Sequence, residues 1–224
     1  MTNIIFVGSI INVPNKPLNY SPIRSDYTRI ERYEQTKNTI KSIKEKMSNT
    51  KIILVECSEL TNEELNYFKS SVDYFINLYD YKDKDSNILE NVYSIYKGVG
   101  ERIMTLYAFK YLFENNIKYD NFYKLTGRYK LNDNFNENIF NNNYSTVIGH
   151  KLLKTSTSFY KLNYEDSLLW FKFLNNNYEL FIKNEMEKCF YSFTKLLDSL
   201  IVLNIKHSEL GITLFVSLKL ASYD

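Results

Sequence analysis

The chain has 224 residues, of which 24% are charged, and a formal net charge of +2. This length suits one domain with a proper core, and basic residues spread along the chain give no reason to expect a nucleic-acid partner. Two distant cysteines, Cys57 and Cys189, make no disulfide framework or metal site and favour a reduced, cytoplasmic protein. The N-terminal run is short and lacks a basic region, and the tract from Leu210 to Ala221 is too short to span a bilayer. We therefore expect neither a secretory signal nor a transmembrane segment.

The first half of the chain alternates apolar runs with helical patterns. The runs are rich in β-branched residues, which predicts buried strands of a parallel sheet. The predicted strands cover residues 3–13, 51–57, 72–78 and 122–125, and the predicted helices cover residues 27–47, the stretch after a capping box at Thr61 and Glu64, and residues 97–114. This alternation predicts an α/β fold, a Rossmann-like, mostly parallel sheet flanked by helices.

The second half of the chain is less regular and more helical. Residues 146–153 and 157–162 look like two short strands, which we expect to pair as a hairpin at the edge of the sheet. A helix is predicted from Tyr164 to about Phe173, and one long helix from Tyr178 to Val202. The sequence shows no repeat and no linker, so we expect a single domain over residues 1–224.

Polar residues lie where the predicted strands end. In open α/β sheets the carboxyl ends of the strands face the ligand crevice. Gly8 and Ser9 lie near the end of the first strand, and Glu56 ends the second. We expect Glu56 to contact a ribose or a base, the alternative being an ordinary loop carboxylate. Three arginines near the start of the first helix either form a solvated face or bring one guanidinium to a phosphate; they are Arg24, Arg29 and Arg32.

The rest of the chain is organised around the stretch from Lys97 to Leu131. Two of the six glycines, Gly98 and Gly100, open its helix, and Gly127 ends the strand that follows. In a glycine-poor chain such residues predict special geometry or close approach of the backbone to a ligand. Lys97 and Arg128 flank the predicted crevice, either as solvated residues or as groups that bind an anion.

Several of these motifs together resemble a known family. They are the run QTKNTIKSI with Arg29 and Arg32 before it, then ILVE, KGVGE and FYKLTGRYKLND, in that order. Their order and spacing resemble small glycosyltransferases of the GT-A type, especially hypothetical sugar transferases of giant viruses, phages and bacterial surface-polysaccharide loci. The resemblance covers residues 1–135 well and the remainder in outline.

The resemblance implies a hexosyl- or deoxyhexosyltransferase of polysaccharide biosynthesis. Residues 1–135 would bind a nucleotide-sugar donor, and residues 136–224 would receive a glycan or other hydroxyl acceptor. The donor's base and ribose need a pocket with a carboxylate, and its diphosphate needs positive charge or N–H donors. The residues assigned to this donor site are Gly8, Arg32, Glu56, Lys97, Gly100, Glu101 and Arg128.

Glu101 has two explanations from the sequence. An acid at the head of a helix is favoured by the helix dipole whatever its function. The functional alternative is that Glu101 contacts the donor sugar or orients Lys97. On that alternative we expect Glu101→Gln to reduce transfer while the melting temperature stays nearly unchanged.

If such an enzyme inverts configuration, a general base must take the proton of the acceptor hydroxyl. The candidates in the C-terminal half are Glu165, Asp166, Glu187, His207 and Glu209. Glu165 and Asp166 are equally explained as acids at a helix start, and His207 and Glu209 as a pair in a loop. The sequence does not choose among these residues, or between inversion and retention.

Enzymes of the GT-A type commonly hold a divalent ion with an Asp-x-Asp motif at the end of the strand that follows the glycine-started helix. Here Thr126–Arg128 occupies that place, and no carboxylate lies between Asp120 and Asp133. The literal Asp-x-Asp, at Asp83 and Asp85, lies in an earlier lysine-rich loop. We therefore expect no required cofactor, with Arg128 on the diphosphate and a divalent metal as the less favoured alternative.

Two other functions remain open from the sequence. One is a catalytically inactive nucleotide- or glycan-binding protein of the same fold. The other is a sugar nucleotidyltransferase, which should carry a glycine-rich, basic loop directly after the first strand; residues 12–17, NVPNKP, do not form one. The donor base and sugar, the acceptor and the oligomeric state also stay open.

Overall fold

The structure, a computed structural model, describes residues 2–83, 85–150 and 154–215. Its centre is a seven-stranded sheet with helices packed on both faces. The predicted α/β fold with a mostly parallel sheet is confirmed. Within the described ranges, no helix is both long enough and apolar enough to cross a membrane.

The first half of the chain supplies four strands and the helices that connect them. In chain order the elements are β1 (Asn3–Ser9), α1 (Arg29–Lys46), β2 (Thr50–Glu56), α2 (Asn62–Ser71), β3 (Tyr74–Asn77), α3 (Ile88–Val92), α4 (Lys97–Glu114) and β4 (Asn121–Thr126). The strands run parallel in the order β3-β2-β1-β4. Thr61 caps α2 in the predicted capping box with Glu64, and Thr28 caps α1 in the same way with Glu31.

The second half of the chain completes the same sheet. Its elements are β5 (Lys130–Leu131), β6 (Ser145–His150), β7 (Lys154–Asn163), α5 (Tyr164–Asn176), α6 (Tyr178–Lys183), α7 (Met186–Thr194), β8 (Leu200–Leu203) and β9 (Ile212–Thr213). The sheet continues from β4 in the order β7-β6-β8, and β5 pairs with β9 as a separate two-stranded ribbon.

The predicted hairpin at the edge of the sheet is wrong in its position. β6 and β7 do pair antiparallel, but β7 lies between β4 and β6. The edge is formed by β8, which runs parallel to β6. The sequence pattern indicated two strands but not their neighbours, because pairing partners are set by the whole topology.

The predicted helix from Tyr178 to Val202 is also wrong. The chain leaves the helix at Asn184, whose backbone is extended and whose side chain donates to the Leu180 carbonyl oxygen at 3.1 Å. A second helix ends at Thr194, and Leu200–Leu203 forms β8. The apolar pattern runs on across these breaks because both helices and the strand pack against one core.

The two faces of the sheet carry separate apolar cores. On the face covered by α3 to α7, Phe109 stacks on Phe122 with ring centroids 4.3 Å apart, and Tyr160 stacks on Phe190 at 4.4 Å. The helices α1 and α2 cover the other face. Because β7 runs against β1 and β4, its first residues lie beside their carboxyl ends. The candidate site lies at this edge of the sheet.

Candidate active site

A crevice of about 1580 Å³ opens at the carboxyl ends of β1 and β4. The start of β7 completes its floor, and its walls are the start of α4, the loop after β1, the connection between α6 and α7, and residues 204–214. Gly8 lies on the floor, where a Cβ atom would come within 3.1 Å of the Phe6 ring and 3.5 Å of Met104. A side chain at this position would therefore crowd the Phe6 ring on the floor of the crevice.

Three charged side chains form a network on the floor of the crevice. Glu101, in the first turns of α4, lies 3.5 Å from Lys97 Nζ through one carboxylate oxygen and 3.2 Å from Lys124 Nζ through the other. Lys124 projects from β4, is almost fully buried, and also donates to the Thr157 carbonyl oxygen of β7 at 2.6 Å. One carboxylate thus fixes two ammonium groups in the crevice.

The pKa values of this network reflect strong mutual attraction. Burial alone would raise the pKa of Glu101, but the charges of Lys124 and Lys97 outweigh it and lower that pKa to about 2. Burial would likewise lower the pKa of Lys97, but the carboxylates of Glu101 and Glu187 raise it above its ordinary value. At neutral pH Glu101 is therefore ionised and Lys97 is protonated.

Two buried guanidinium groups lie beside this network. Arg32 donates to the Ile10 carbonyl oxygen at 2.6 Å and to the Ser25 hydroxyl at 3.1 Å. Burial and the nearby charge of Arg128 lower the pKa of Arg32 to about 9. Arg128 follows β4, is also buried, and donates to the Phe215 carbonyl oxygen. The two guanidinium groups repel one another at the place where β1 and β4 end.

The far wall of the crevice carries hydroxyl, imidazole and carboxylate groups. Glu187, in the first turn of α7, accepts a hydrogen bond from the Thr157 hydroxyl at 3.0 Å. The Nε2 atom of His207 is hydrogen-bonded to the hydroxyls of Ser156 and Ser158. The polar side chains at the start of β7 therefore contact α7 through Glu187 and the segment after β8 through His207.

Comparisons with known proteins address the fold. No protein-family model matches the chain, and no curated protein matches its sequence. Among solved structures, a glycosyltransferase involved in the glycosylation of the major capsid of PBCV-1 is 10% identical with a TM-score of 0.51, over 90% of this chain and 81% of that one. A nucleoside-diphosphate-sugar pyrophosphorylase from Vibrio cholerae RC9 is 8% identical with a TM-score of 0.52, over 94% of both chains.

The fold is of the GT-A type. The resemblance inferred from the sequence motifs is confirmed at this level. Identities this low show a shared fold and do not by themselves assign a reaction.

Within this GT-A fold, Glu56 does not face the crevice. Its side chain is fully buried, and one carboxylate oxygen accepts from the backbone N–H groups of Ile11 at 3.1 Å and Cys57 at 2.9 Å. Because Glu56 does not line the crevice, its position favours the alternative of a carboxylate that holds the loop after β1; its second oxygen, Oε2, is buried and makes no hydrogen bond within the described residues.

The glycines and the other arginines have packing roles. At Gly100, which lines the crevice, a Cβ atom would overlap the Val92 carbonyl oxygen, so this glycine allows α4 to approach α3. Arg29 pairs with Glu64 at 2.5 Å on the surface of the α1 and α2 layer. Arg24 donates to the carbonyl oxygens of Tyr93 and Ser94 and braces the loop after β1.

Glu165 and Asp166 lie far from the crevice. They begin α5, which follows the carboxyl end of β7, and this end pairs with the first residues of β4 at the opposite edge of the sheet. Asp166 there accepts from Ser145 and Asn163. The reversed direction of β7 is the physical reason that these two candidate bases and the crevice are separated.

Glu209 and the aspartates of the literal Asp-x-Asp are placed differently. Glu209 lies at the rim of the crevice and accepts from the Lys206 backbone N–H at 3.0 Å, as a carboxylate in a turn does. Asp83 and Asp85 do not line the crevice. Across the part of the chain that the structure describes, no group of three or more His, Cys, Asp or Glu side chains could hold a metal ion.

Sequence reasoning missed Lys124 and the hydroxyls of Ser156, Thr157 and Ser158. Lys124 had a detectable signal, since a lysine inside the apolar run FYKL must find a partner if that run is a buried strand. The three hydroxyls had none. Their position depends on β7 pairing with β4, which the local pattern does not specify.

Proposed function

We propose that the protein is a glycosyltransferase that moves a sugar from a nucleoside-diphosphate sugar to a hydroxyl of a glycan or other acceptor. One observation carries the proposal: four cationic side chains line the crevice where β1 and β4 end, and Glu101 pairs with two of them. The four side chains are Arg32, Lys97, Lys124 and Arg128. Arg32, Lys124 and Arg128 are buried, whereas Lys97 is exposed at the mouth of the crevice. Buried like charges repel unless an anion neutralises them, and a diphosphate supplies such an anion.

The four cations have different tasks in this proposal. Arg128 binds the diphosphate oxygens with its planar fork, and Lys97 adds a point charge from the first turn of α4. As the bond between the anomeric carbon and the diphosphate breaks, negative charge grows on the leaving group. Cations already fixed in place stabilise that charge without reorganisation. Glu101 holds Lys97 and Lys124 in position for this.

The reaction is proposed to need no divalent metal. The place of the acidic motif is taken by Thr126–Arg128, and Arg128 brings a permanent positive charge to it. We expect transfer to survive exhaustive EDTA treatment without loss. Activity that the chelator abolishes and Mn²⁺ or Mg²⁺ restores would contradict this part of the proposal.

The test of the function begins with binding. Isothermal titration with UDP, GDP, and the matching monophosphates and nucleosides should show that affinity depends on the diphosphate. Transfer is then assayed with UDP- and GDP-sugars and a panel of p-nitrophenyl glycosides as acceptors. If none of the diphosphates binds, the proposal is wrong; if they bind and neither transfer nor donor hydrolysis occurs, the protein is the inactive binding protein.

A nucleotidyltransferase is the second candidate, because one structure with this fold is a nucleoside-diphosphate-sugar pyrophosphorylase. A triphosphate needs a glycine-rich, basic loop after β1 to hold it. The loop here reads NVPNKP over residues 12–17 and contains no glycine. Incubation with a sugar 1-phosphate and UTP, GTP or CTP should therefore release no pyrophosphate.

A further inference from the structure

The wall of the crevice formed by the start of β7, α7 and residues 204–209 adjoins the cations and carries polar groups with no role in binding the donor. With Arg32, Lys97, Lys124 and Arg128 directed to a diphosphate, the acceptor must enter from the side of β7, α7 and residues 204–209. A hydroxyl of the acceptor can react only after it loses its proton, so a base is required on this side.

Glu187 is the carboxylate that the fold brings to this wall. It lies in the first turn of α7, is partly exposed in the crevice, and accepts from the Thr157 hydroxyl at 3.0 Å through Oε1. The other carboxylate oxygen, Oε2, makes no hydrogen bond within the described residues. The Glu187 charge also reaches Lys97 across the crevice, where it helps Glu101 to raise the pKa of that lysine against the effect of burial.

An acid in the first turn of a helix is common, since the helix dipole favours it whatever its function. Position in α7 alone therefore assigns nothing to Glu187. The hydrogen bond from Thr157 is the informative contact, because it comes from another element of the fold and fixes the carboxylate beside the floor of the crevice. One oxygen is thereby held, and the carboxylate as a whole lines the crevice.

The other candidate bases are less suitable. Glu165 and Asp166 lie at the opposite edge of the sheet. Glu209 is bonded to its own turn through the Lys206 N–H, and His207 Nε2 is shared by the hydroxyls of Ser156 and Ser158. His207 would have to give up one of these hydrogen bonds before Nε2 could receive a proton, and Glu209 is an exposed carboxylate held by its own turn and not by another element of the fold.

We infer that Glu187 is the general base for the acceptor hydroxyl and that Thr157 positions it. This inference rests on the proposed glycosyltransferase function. In the step, the acceptor proton passes to the Glu187 carboxylate while the acceptor oxygen forms a bond to the anomeric carbon. The bond from that carbon to the diphosphate breaks, and its electron pair leaves with the nucleoside diphosphate. This direct displacement inverts the anomeric configuration, and Glu187 later releases the proton to water.

Glu187→Gln tests the inference, because an amide of the same shape cannot accept the proton. We expect kcat for transfer to p-nitrophenyl glycosides to fall at least about 100-fold. The Kd for UDP or GDP, whichever the wild type binds, should stay within about threefold. Thr157→Val should lower kcat about tenfold with a smaller effect on the acceptor KM, since a positioning contact is lost and the base remains.

The matched control is Glu179→Gln, which removes an exposed carboxylate from the first turn of the neighbouring helix α6, at a position that does not line the crevice. It should keep transfer within about twofold of wild type. In Glu187→Ala, added sodium formate should restore part of the lost transfer, which loss of a structural contact would not allow. If Glu187→Gln still binds the nucleotide and still transfers the sugar, this inference is wrong and the proposed function is not affected. Failure of the wild type to bind UDP and GDP would overturn the proposed function and this inference with it.

Discussion

Lys124 and Lys161 lie on neighbouring strands, β4 and β7, and both are buried, but on opposite faces of the sheet. Lys124 faces the crevice and is bonded to the carboxylate of Glu101. Lys161 faces the α1 and α2 layer and donates to three neutral oxygens, those of the Phe140 carbonyl at 2.9 Å, the Asn142 carbonyl at 2.5 Å and the Asn142 side chain at 3.0 Å.

The difference separates a structural cation from one at a candidate active site. Lys161 has all three N–H donors satisfied by the loop at residues 140–142, and burial lowers its pKa to about 8. Lys124 belongs to a cluster whose cations outnumber its carboxylates and which opens onto a cavity. Charge that is satisfied within the fold indicates stability, whereas excess charge beside a cavity indicates a ligand.

The largest effect is expected at Arg128, on the crevice side of this comparison. Arg128→Ala should weaken nucleoside diphosphate binding about 100-fold, because a bidentate, charge-assisted contact is lost. Arg128→Lys should still weaken it at least about tenfold, since an ammonium cannot reproduce the planar fork. Isothermal titration measures both. If Arg128→Lys bound the diphosphate as tightly as wild type, Arg128 would contribute only its charge and no bidentate contact.

Glu101→Gln should affect both activity and stability. We expect transfer to fall at least about tenfold, or about 1.4 kcal/mol, because Lys97 and Lys124 lose their shared partner. The expectation from sequence that stability would be spared changes, since Lys124 is buried against Glu101. The free energy of unfolding at pH 7 should fall by on the order of 3 kcal/mol.

The pH dependence of this effect has a definite sign. The folded-state pKa of Glu101 is about 2, below its ordinary value of 4.5, so its contribution is complete above pH 4.5 and is lost as the pH falls towards 2. Urea unfolding of wild type and Glu101→Gln between pH 6 and about 3 should therefore show the gap between them narrowing. A constant gap would show that the charge of Glu101 is not what stabilises the fold.

Lys161→Met should act on stability alone. The folded-state pKa of Lys161, about 8, is below its ordinary value of 10.5, so the unfolded chain binds the extra proton between these pH values. Wild-type stability should thus rise relative to Lys161→Met by about 2 kcal/mol between pH 8 and pH 10. Urea titrations at these pH values measure this. Nucleotide affinity should stay within about twofold, and a larger change would remove the distinction between the two lysines.

The smallest effects are expected at the opposite edge of the sheet. Asp166→Asn and Glu165→Gln should each leave transfer within about twofold of wild type, because neither side chain reaches the crevice. Asp166→Asn should lower the melting temperature slightly, since Asp166 accepts from Ser145 and Asn163. If either variant lost transfer while its stability stayed unchanged, the acceptor would bind beside α5 and not in the crevice.

The first half of the fold was predictable because β1, β2 and β3 are each followed by a helix before the next parallel strand. The local pattern of a buried run such as KIILVEC predicts a strand, and the capping box at Thr61 predicts where the next helix begins. In the second half the pattern was misleading. The residues from Tyr178 to Val202 keep a helical apolar spacing across two helices and a strand, because one core selects their apolar side chains.

The candidate site was predictable in part for a similar reason. Lys97, Glu101 and Arg128 belong to the continuous stretch from α4 through β4, so the local motif brings them together. The surroundings of Glu56 were not predictable, because a strand-terminal carboxylate can contact either a ligand or the adjacent loop, and the contact with the loop appears only in the structure. Thr157 and Glu187 meet through long-range pairing that no local pattern encodes.

The position of β7 between β4 and β6 affects the chain while it is being synthesised. Residues 1–135 leave the ribosome first and contain β4 complete, but the strand that covers its free edge begins only at Lys154. Until then β4 offers unpaired backbone groups beside an apolar face, the arrangement that templates edge-to-edge aggregation. A fragment ending at residue 135 should therefore sediment as aggregates, and one extended through Asn163 should do so less.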